Sequence, residues 1–331
     1  MRERVIELME RHGLGAVVMR RAENFAWYTG GGNSRVEYAA PEGVADVVVT
    51  PDADLVLAST IEAPRMRAEE ASGFEVVEYP WHEGPAGALR ELVADSPFGA
   101  DVTLPGAVDL GEQLSALRRV LDPPAIARLR TIGADLTAAL GEVAAELAPG
   151  MTEHEAAGEL ARACRKRGLV PTVLLAATHE RIARHRHPLP TAARLERRAM
   201  VVASAQRGGL YANLTRIAWL EQPDREIARR QAACDEILVR MREEATRPGR
   251  TLAAAFHDVC RFYAEAGFPG EWRLHHQGGI TGYASREVIA TPATDVEIEP
   301  GMAVAWNPSI SGAKAEETFV LTHSGPEPIT A

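Results

Sequence analysis

Lysine is nearly absent from this 331-residue chain: only Lys166 and Lys314 occur, so almost all of the positive charge is arginine. The bias belongs to composition, and it makes Lys314, two positions before Glu316, look less accidental. Positive charge is also in deficit, with 46 acidic residues against 36 basic ones and a formal net charge of −10. That balance argues against nucleic acid as a partner, because phosphate recognition rests on an excess of Lys and Arg. No apolar run approaches the ~20 residues that span a bilayer, so no membrane partner is expected. The opening MRERVIELMERHGLGAVV has the pattern of an amphipathic helix followed by a strand, without the charged start, apolar core and small-residue cleavage site of a secretory leader, and a cytoplasmic location is expected. Cys164, Cys234 and Cys260 are odd in number and form no CxxC pair, which points to reduced core residues rather than a disulfide framework or a thiolate metal site.

What is present is ordinary for a globular protein: 46% hydrophobic and 25% charged residues. The length favours two cores, since single cores stop growing near ~250–300 residues. Strand-like runs at 15–19, 45–50, 54–59 and 74–79 alternate with helical segments at 1–12 and 86–95, the pattern of an α/β layer. Asp122, Pro123 and Pro124 break the chain. A long amphipathic helix then begins, with Ile126, Leu129, Ile132, Leu136, Leu140 and Val143 on one stripe. The expected organisation is an α/β N-terminal domain over 1–122 and a second domain over 123–331.

The second part carries an internal repeat. Pro149-Gly150-x-Thr152 is echoed by Pro248-Gly249-x-Thr251, and Gly168-Leu169 by Gly267-Phe268, both displaced by the same 99 residues (248−149 and 267−168). Each copy runs a helix into a Pro-Gly turn, starts a second helix at a Thr N-cap and closes it with glycine; Thr152 and Glu155 make a capping box. A duplicated helix–helix–strand unit follows, with a pocket between its halves.

Four separated blocks then carry a resemblance. HRHPLPTAARLERRAMVVASAQRGGLYANLTRI (185–217), LHHQGGITGYASREVIATP (274–292) and PGMAVAWNPSISGAKAEETFVLT (300–322), with NFAWYTGG (24–31) near the start, are similar to the creatinase/aminopeptidase P/prolidase family. The resemblance implies an α/β N-terminal domain followed by an α+β pita-bread domain with internal duplication. It also implies a homodimer in which one N-terminal domain borders the other subunit's pocket, with Trp27 and Arg35 as candidates for that contribution. Metal-dependent members hold two ions with two aspartates, a histidine and two glutamates. An ungapped comparison puts Val202 and Asn213 on the aspartates, Gly279 on the histidine and Asn307 on the first glutamate, leaving Glu316 alone with its ligand type. Hard divalent ions need anionic oxygen donors, so no catalytic metal and no cofactor are expected.

The remaining polar residues suggest a site. His185 falls where the resemblance implies a substrate-contacting or proton-transferring histidine, and His275 on a pocket histidine; imidazole titrates near ~6.5 and can relay a proton without a metal. An exposed Arg/His loop is the other reading of RIARHRHP. His275 and His276, adjacent in an extended segment, should face opposite ways. Arg286 could clamp a substrate carboxylate or make a structural pair with Glu287. Glu316, once buried, needs a cation, for which Arg286, Lys314 or a cationic substrate would serve. The candidate catalytic residues are thus His185, His275 and Glu316. The candidate substrate-binding residues are His187, His276, Tyr211, Asn213, Tyr283, Arg286, Asn307 and Glu317, with Trp306 as a further aromatic wall. The function expected is a metal-independent, creatinase-like enzyme hydrolysing a C–N bond in a small polar nitrogen compound. A catalytically inactive ligand- or protein-binding module is the alternative, and an active Xaa-Pro metallopeptidase the third reading.

Overall fold

The computed structural model describes residues 1–94 and 96–330 and divides into two compact units, Met1–Arg118 and Arg119–Ala331. The first is built on a six-stranded mixed sheet of β1 (Ala16–Arg21), β2 (Glu42–Val49), β3 (Asp54–Ser59), β4 (Glu75–Tyr79), β5 (Phe98–Ala100) and β6 (Ala107–Asp109), in the order β4-β3-β2-β1-β5-β6. Strand alternation puts Ala16, Val18, Val48 and Leu57 on one face, where they pack against Leu89 and Val93 of the helix Ala86–Val93. The first five residues of the NFAWYTGG element end the helix Ala22–Tyr28, and its Thr29 is the C-cap. It is fixed from within its own unit: Asn24 Nδ2 donates to Asp101 Oδ2 at 2.8 Å, and Asp101 also accepts the backbone N–H groups of Arg20 and Arg21. Trp27 is buried in this unit, and Arg35 is tied to Glu23 and the Ala40 carbonyl, so both are committed locally.

The second unit opens with the helix Pro123–Glu146, whose N-cap Asp122 accepts from Ala125 N at 2.8 Å and whose first positions are prolines, where a missing N–H costs nothing. Leu129, Ile132, Leu136, Leu140 and Val143 are its buried stripe. The helix Glu153–Lys166 follows, started by the Thr152–Glu155 capping box. The chain then forms β7 (Val170–Thr178), β8 (Arg198–Arg207) and β9 (Leu210–Trp219), a three-stranded antiparallel sheet. β8 and β9 meet at Gly208-Gly209, both at positive φ (56° and 78°), the geometry a two-residue hairpin turn demands. That turn sets the register opposite Ser204 to Asn213 and opposite Val202 to Thr215.

The plan then repeats. The helix Arg225–Arg240 leads to a Pro-Gly turn and the helix Leu252–Glu265, capped by Thr251. The second sheet contains β10 (Gly278–Thr281), β11 (Val288–Ile289), β12 (Ala303–Trp306), β15 (Glu317–Thr322) and β16 (Gly325–Pro328), ordered β11-β10-β12-β15-β16. A short hairpin of β13 (Ser309–Ile310) and β14 (Ala313–Lys314) lies between β12 and β15. The duplication extends to single bridges: Thr152 pairs with Arg194, and Thr251 with Glu297. Cys164 and Cys234 are buried and Cys260 half-buried, all three unpaired. Trp306, offered by sequence as a pocket wall, is instead fully buried in the core of the second half, where its Nε1 donates to Thr246 Oγ1 at 2.8 Å. Its neighbour Asn307 lies just beyond the strand end and faces the cleft.

Candidate active site

A cavity of about 310 Å³ opens in the second unit. The first half of the duplication supplies an uncharged wall, with Val173 and Leu175 on β7, His187 and Leu189 on the following loop, Val202 and Ser204 on β8 and Asn213 on β9. The second half supplies His276, Ser285, Arg286, Asn307, Lys314 and Glu316. Asn213 is locked to β15, its N–H donating to Thr318 Oγ1 at 2.8 Å. Asn307 donates its N–H to the Gln277 carbonyl at 3.0 Å, while its Oδ1 and the Ser204 hydroxyl are buried without a partner.

Glu316 forms the floor. Its Oε1 accepts from Arg286 Nη2 at 3.1 Å. The other oxygen, Oε2, meets Lys314 Nζ at 3.2 Å and the Thr215 hydroxyl at 2.8 Å. Burial alone would raise this carboxyl; Lys314 and Arg286, helped by the Thr215 hydroxyl, overcome it and hold Glu316 down to about 2. Burial acts on Arg286 in the opposite sense, lowering its basicity against the opposing pull of Glu316. Arg286 therefore pairs with Glu316 rather than with its neighbour Glu287, whose Oε1 accepts from Ala284 N.

Above the floor three imidazoles cluster. His275 Nε2 lies 2.9 Å from His187 Nε2, and the rings of His275 and His276 stack with centroids 4.5 Å apart. The expectation that neighbouring histidines face opposite ways fails here for a local reason. The segment leaves a 3₁₀ turn at Leu274 and enters β10 through Gly278 at φ 104°, so it is not a regular strand and side-chain alternation does not apply. Gln277, fully buried, holds this path: its Nε2 donates to the His275 carbonyl at 2.6 Å and its Oε1 accepts from Tyr263 Oη at 2.8 Å. The loop bearing His187 is joined to the same place by Arg186, whose Nη2 meets Glu271 Oε2 at 2.6 Å within that 3₁₀ turn. Burial, followed by the Lys314 charge, pushes His275 down to about 2; burial and Arg286 push His276 down to about 4; His187 is lowered by burial and Lys314. All three rings are neutral at neutral pH.

The sequence candidates are thus only partly brought together. His187, His276, Asn213, Arg286, Asn307 and Glu316 line the cavity, with His275 in contact with His187. His185 is exposed outside it, at the end of the helix His179–Arg184. Tyr211 is buried opposite Gln206 near the hairpin turn, and Tyr283 is buried with its hydroxyl accepting from Arg128 at 2.8 Å. Glu317 does not line this cavity: it pairs with Arg242 and opens on an adjoining hollow of about 220 Å³, shared with Arg216 and Trp219, that has Lys314 and Glu316 in common with the cavity. Ser204 and Lys314 are cavity residues absent from the candidate set. The signal for Ser204 was the Gly-Gly turn, which makes it the cross-strand partner of Asn213.

Comparison with known proteins agrees with this architecture. The model of the creatinase/prolidase N-terminal domain matches residues 1–145, and that of metallopeptidase family M24 matches residues 127–323. The chain belongs to metallopeptidase family M24. Its fold is the creatinase-type N-terminal domain followed by the pita-bread domain. The chain is 26% identical over 312 residues to the "Probable dipeptidase PepE" of Mycobacterium tuberculosis, covering 86% of this chain and 80% of that protein. Among solved structures it resembles the prolidase of Pyrococcus furiosus (TM-score 0.82, 18% identity, 98% of this chain and 99% of that one). It also resembles the X-Pro aminopeptidase of Thermotoga maritima (TM-score 0.81, 19% identity, 100% and 97%). These names overturn the expectation of a metal-independent creatinase-like enzyme, since the relatives are named as peptidases. That expectation treated the loss of one M24 donor set as the loss of peptidase chemistry, and the first does not entail the second.

The family's two-ion centre nevertheless does not fit these residues. Val202, Asn213, Gly279 and Asn307 offer no carboxylate, nor does Ser204 on the same face of β8, and both oxygens of Glu316 are engaged by cations. Two hard divalent ions would find no anionic donor free. A side chain at Gly279 is also barred, because its φ is 150° and a Cβ there would collide with the Val288 carbonyl.

Proposed function

We propose that this M24 protein is a peptidase acting on very small peptides, dipeptides above all. The supporting observation is the floor of the cavity: a fully buried Glu316 held ionised between Lys314 and Arg286. Two cations against one carboxylate leave a net positive anchor, suited to the free carboxylate that ends every peptide. A cavity of about 310 Å³ lies at the small end of the roughly 300–1,000 Å³ typical of ligand sites, which favours short substrates. The name of the mycobacterial relative points the same way.

Glu316 is ill-suited to proton transfer in this reading, because its oxygens are already occupied; it orients the two cations instead. The attacking water would be met by the imidazole group, while Ser204 and Asn307, whose buried oxygens lack partners, offer hydrogen bonds to the peptide. The reaction adds the water oxygen to the carbonyl carbon, breaks the C–N bond and delivers a proton to the leaving amine. A homodimer in the cytoplasm is part of the same proposal, supported by the family resemblance and by three unpaired cysteines, which suit a reducing compartment. Among the described residues no helix is long and apolar enough to cross a membrane.

A dipeptide panel that includes Xaa-Pro sequences, assayed by release of free amino acids with and without added divalent ions, tests the reading. Cleavage should weaken when the C-terminal carboxylate is amidated, and Arg286→Met should raise KM more than it lowers kcat. A folded protein that releases no amino acid from any dipeptide under either condition overturns it.

A further inference from the structure

We propose that His187, His275 and His276 form a binding site for a single borderline divalent ion, zinc in the first instance, with a donor set unlike the family's carboxylate centre. One nitrogen from each ring can be chosen so that all three lie within 4.8 Å of one another. Bonds of about 2.0–2.1 Å at a tetrahedral centre require ligand nitrogens about 3.3 Å apart. The His187–His275 pair, at 2.9 Å, already meets that spacing within a few tenths of an ångström, and the third ring, within 4.8 Å, would have to close the remaining gap by side-chain rotation.

The site is built rather than accidental. The three rings come from two loops on different halves of the duplication, and the Arg186–Glu271 ion pair ties those loops together one residue from His187 and four from His275. Gln277 clamps the backbone on the other side. Nδ1 of His276 is buried without a hydrogen-bond partner, so a polar atom has been placed beside the His187–His275 pair with nothing in the protein to satisfy it. Buried polar groups left unpaired are rare and call for a ligand or solvent.

The donor set selects the ion. Three imidazoles suit zinc, cobalt, nickel or copper, whereas manganese, magnesium and calcium prefer oxygen. Three protein ligands leave a fourth position open, as in a catalytic rather than a structural zinc site. Lys314 and Arg286, only partly offset by Glu316, favour an anion in that fourth position, either hydroxide or a peptide carboxylate. Loading needs no net proton release from the His187–His275 pair: the ring that donates through Nε2 would carry its proton on Nδ1 instead.

The test is metal binding, read independently of peptide cleavage. Chelator-treated full-length protein is titrated with Co(II), followed by the visible bands of a tetrahedral ion, and with Zn(II), followed by elemental analysis after gel filtration. One equivalent per chain is expected. His276→Gln and His275→Gln should each weaken binding by more than the roughly 10–100-fold that loss of an outer-shell partner causes, with thermal unfolding of the metal-free variants confirming that they fold. His185→Ala should retain the ion. Three results overturn the proposal: no retained ion in the folded wild type, an ion that survives both histidine variants, or two equivalents including manganese that depend on Glu316 and not on His276. Dipeptide cleavage without a retained ion would leave the peptidase reading standing and remove this site; a bound ion without cleavage would do the reverse.

Discussion

Lys314 Nζ lies 3.2 Å from Glu316 Oε2 with both side chains only 5% exposed, so an ammonium and a carboxylate face each other out of water at the base of the cavity. With Arg286 on the other oxygen, the three groups form one electrostatic unit. Removing a member matters more for what it strands than for the contact it breaks.

Glu316→Gln is the severe case, because it leaves Lys314 and Arg286 as two buried positive charges side by side. A loss of about 3–5 kcal/mol is expected, measured as a lower urea midpoint at unchanged slope. Lys314→Met leaves Arg286 to neutralise Glu316 and should cost clearly less. Equal losses in the two variants would show that the three groups do not act as one electrostatic unit.

Acid sensitivity follows from the same residue. Its folded pKa of about 2 lies below the usual carboxylate value near 4.5. Its contribution is therefore complete above about pH 4.5 and disappears as pH falls towards 2. His276, lowered to about 4 from the ordinary 6.5, is protonated first in the unfolded chain, so metal-free protein should already lose stability between pH 6.5 and 4. With His275 held down to about 2, stability is also lost over the whole range below pH 6.5, so urea midpoints should fall continuously; His276→Gln should lessen the fall between pH 6.5 and 4, and Glu316→Gln the fall below pH 4.5.

Gly279→Ala tests why this position is empty of a side chain. Backbone at φ 150° is open to glycine and strained for other residues, and the new methyl would press on the Val288 carbonyl. A loss of about 2 kcal/mol or more is expected in chemical denaturation. Gly279→His should be at least as damaging and should not create a second ion site.

The duplicated caps differ in strength. Thr152 accepts from Glu155 N while Glu155 bonds back to the Thr152 N–H at 2.7 Å; Thr251 accepts from Ala254 N alone. Thr152→Ala should cost about 1–2 kcal/mol and Thr251→Ala about 1 kcal/mol or less. Paired unfolding curves check the order.

Much of the architecture was legible because it rests on local chemistry. The Asp122-Pro-Pro start, the capping box and the Pro-Gly/Thr repeat are short-range signals, and they correspond to observed helix starts. Within the cavity, Asn213, Asn307 and Glu316 were readable from the blocks that contain them. Ser204 was not. Val202 and Ser204 have the same parity on β8 and so share a face; only the cross-strand register, fixed by Gly208-Gly209, shows which one stands opposite Asn213. His185 and His187 posed a similar problem, two residues apart on a loop whose course depends on the distant Glu271. The clustering of His275 with His276 was hidden because a rule for strands was applied to a segment that is not one.

The two halves of the duplication have shared out their duties unequally. Every formal charge in the cavity, on Arg286, Lys314 and Glu316, comes from the later half, and the earlier half contributes only aliphatic, hydroxyl, amide and imidazole groups. The cavity consequently has a head and a tail, like a socket keyed for one orientation. A guest with a single charged end is admitted one way round, so the direction of a peptide chain would be read by the asymmetry of the gene duplication itself.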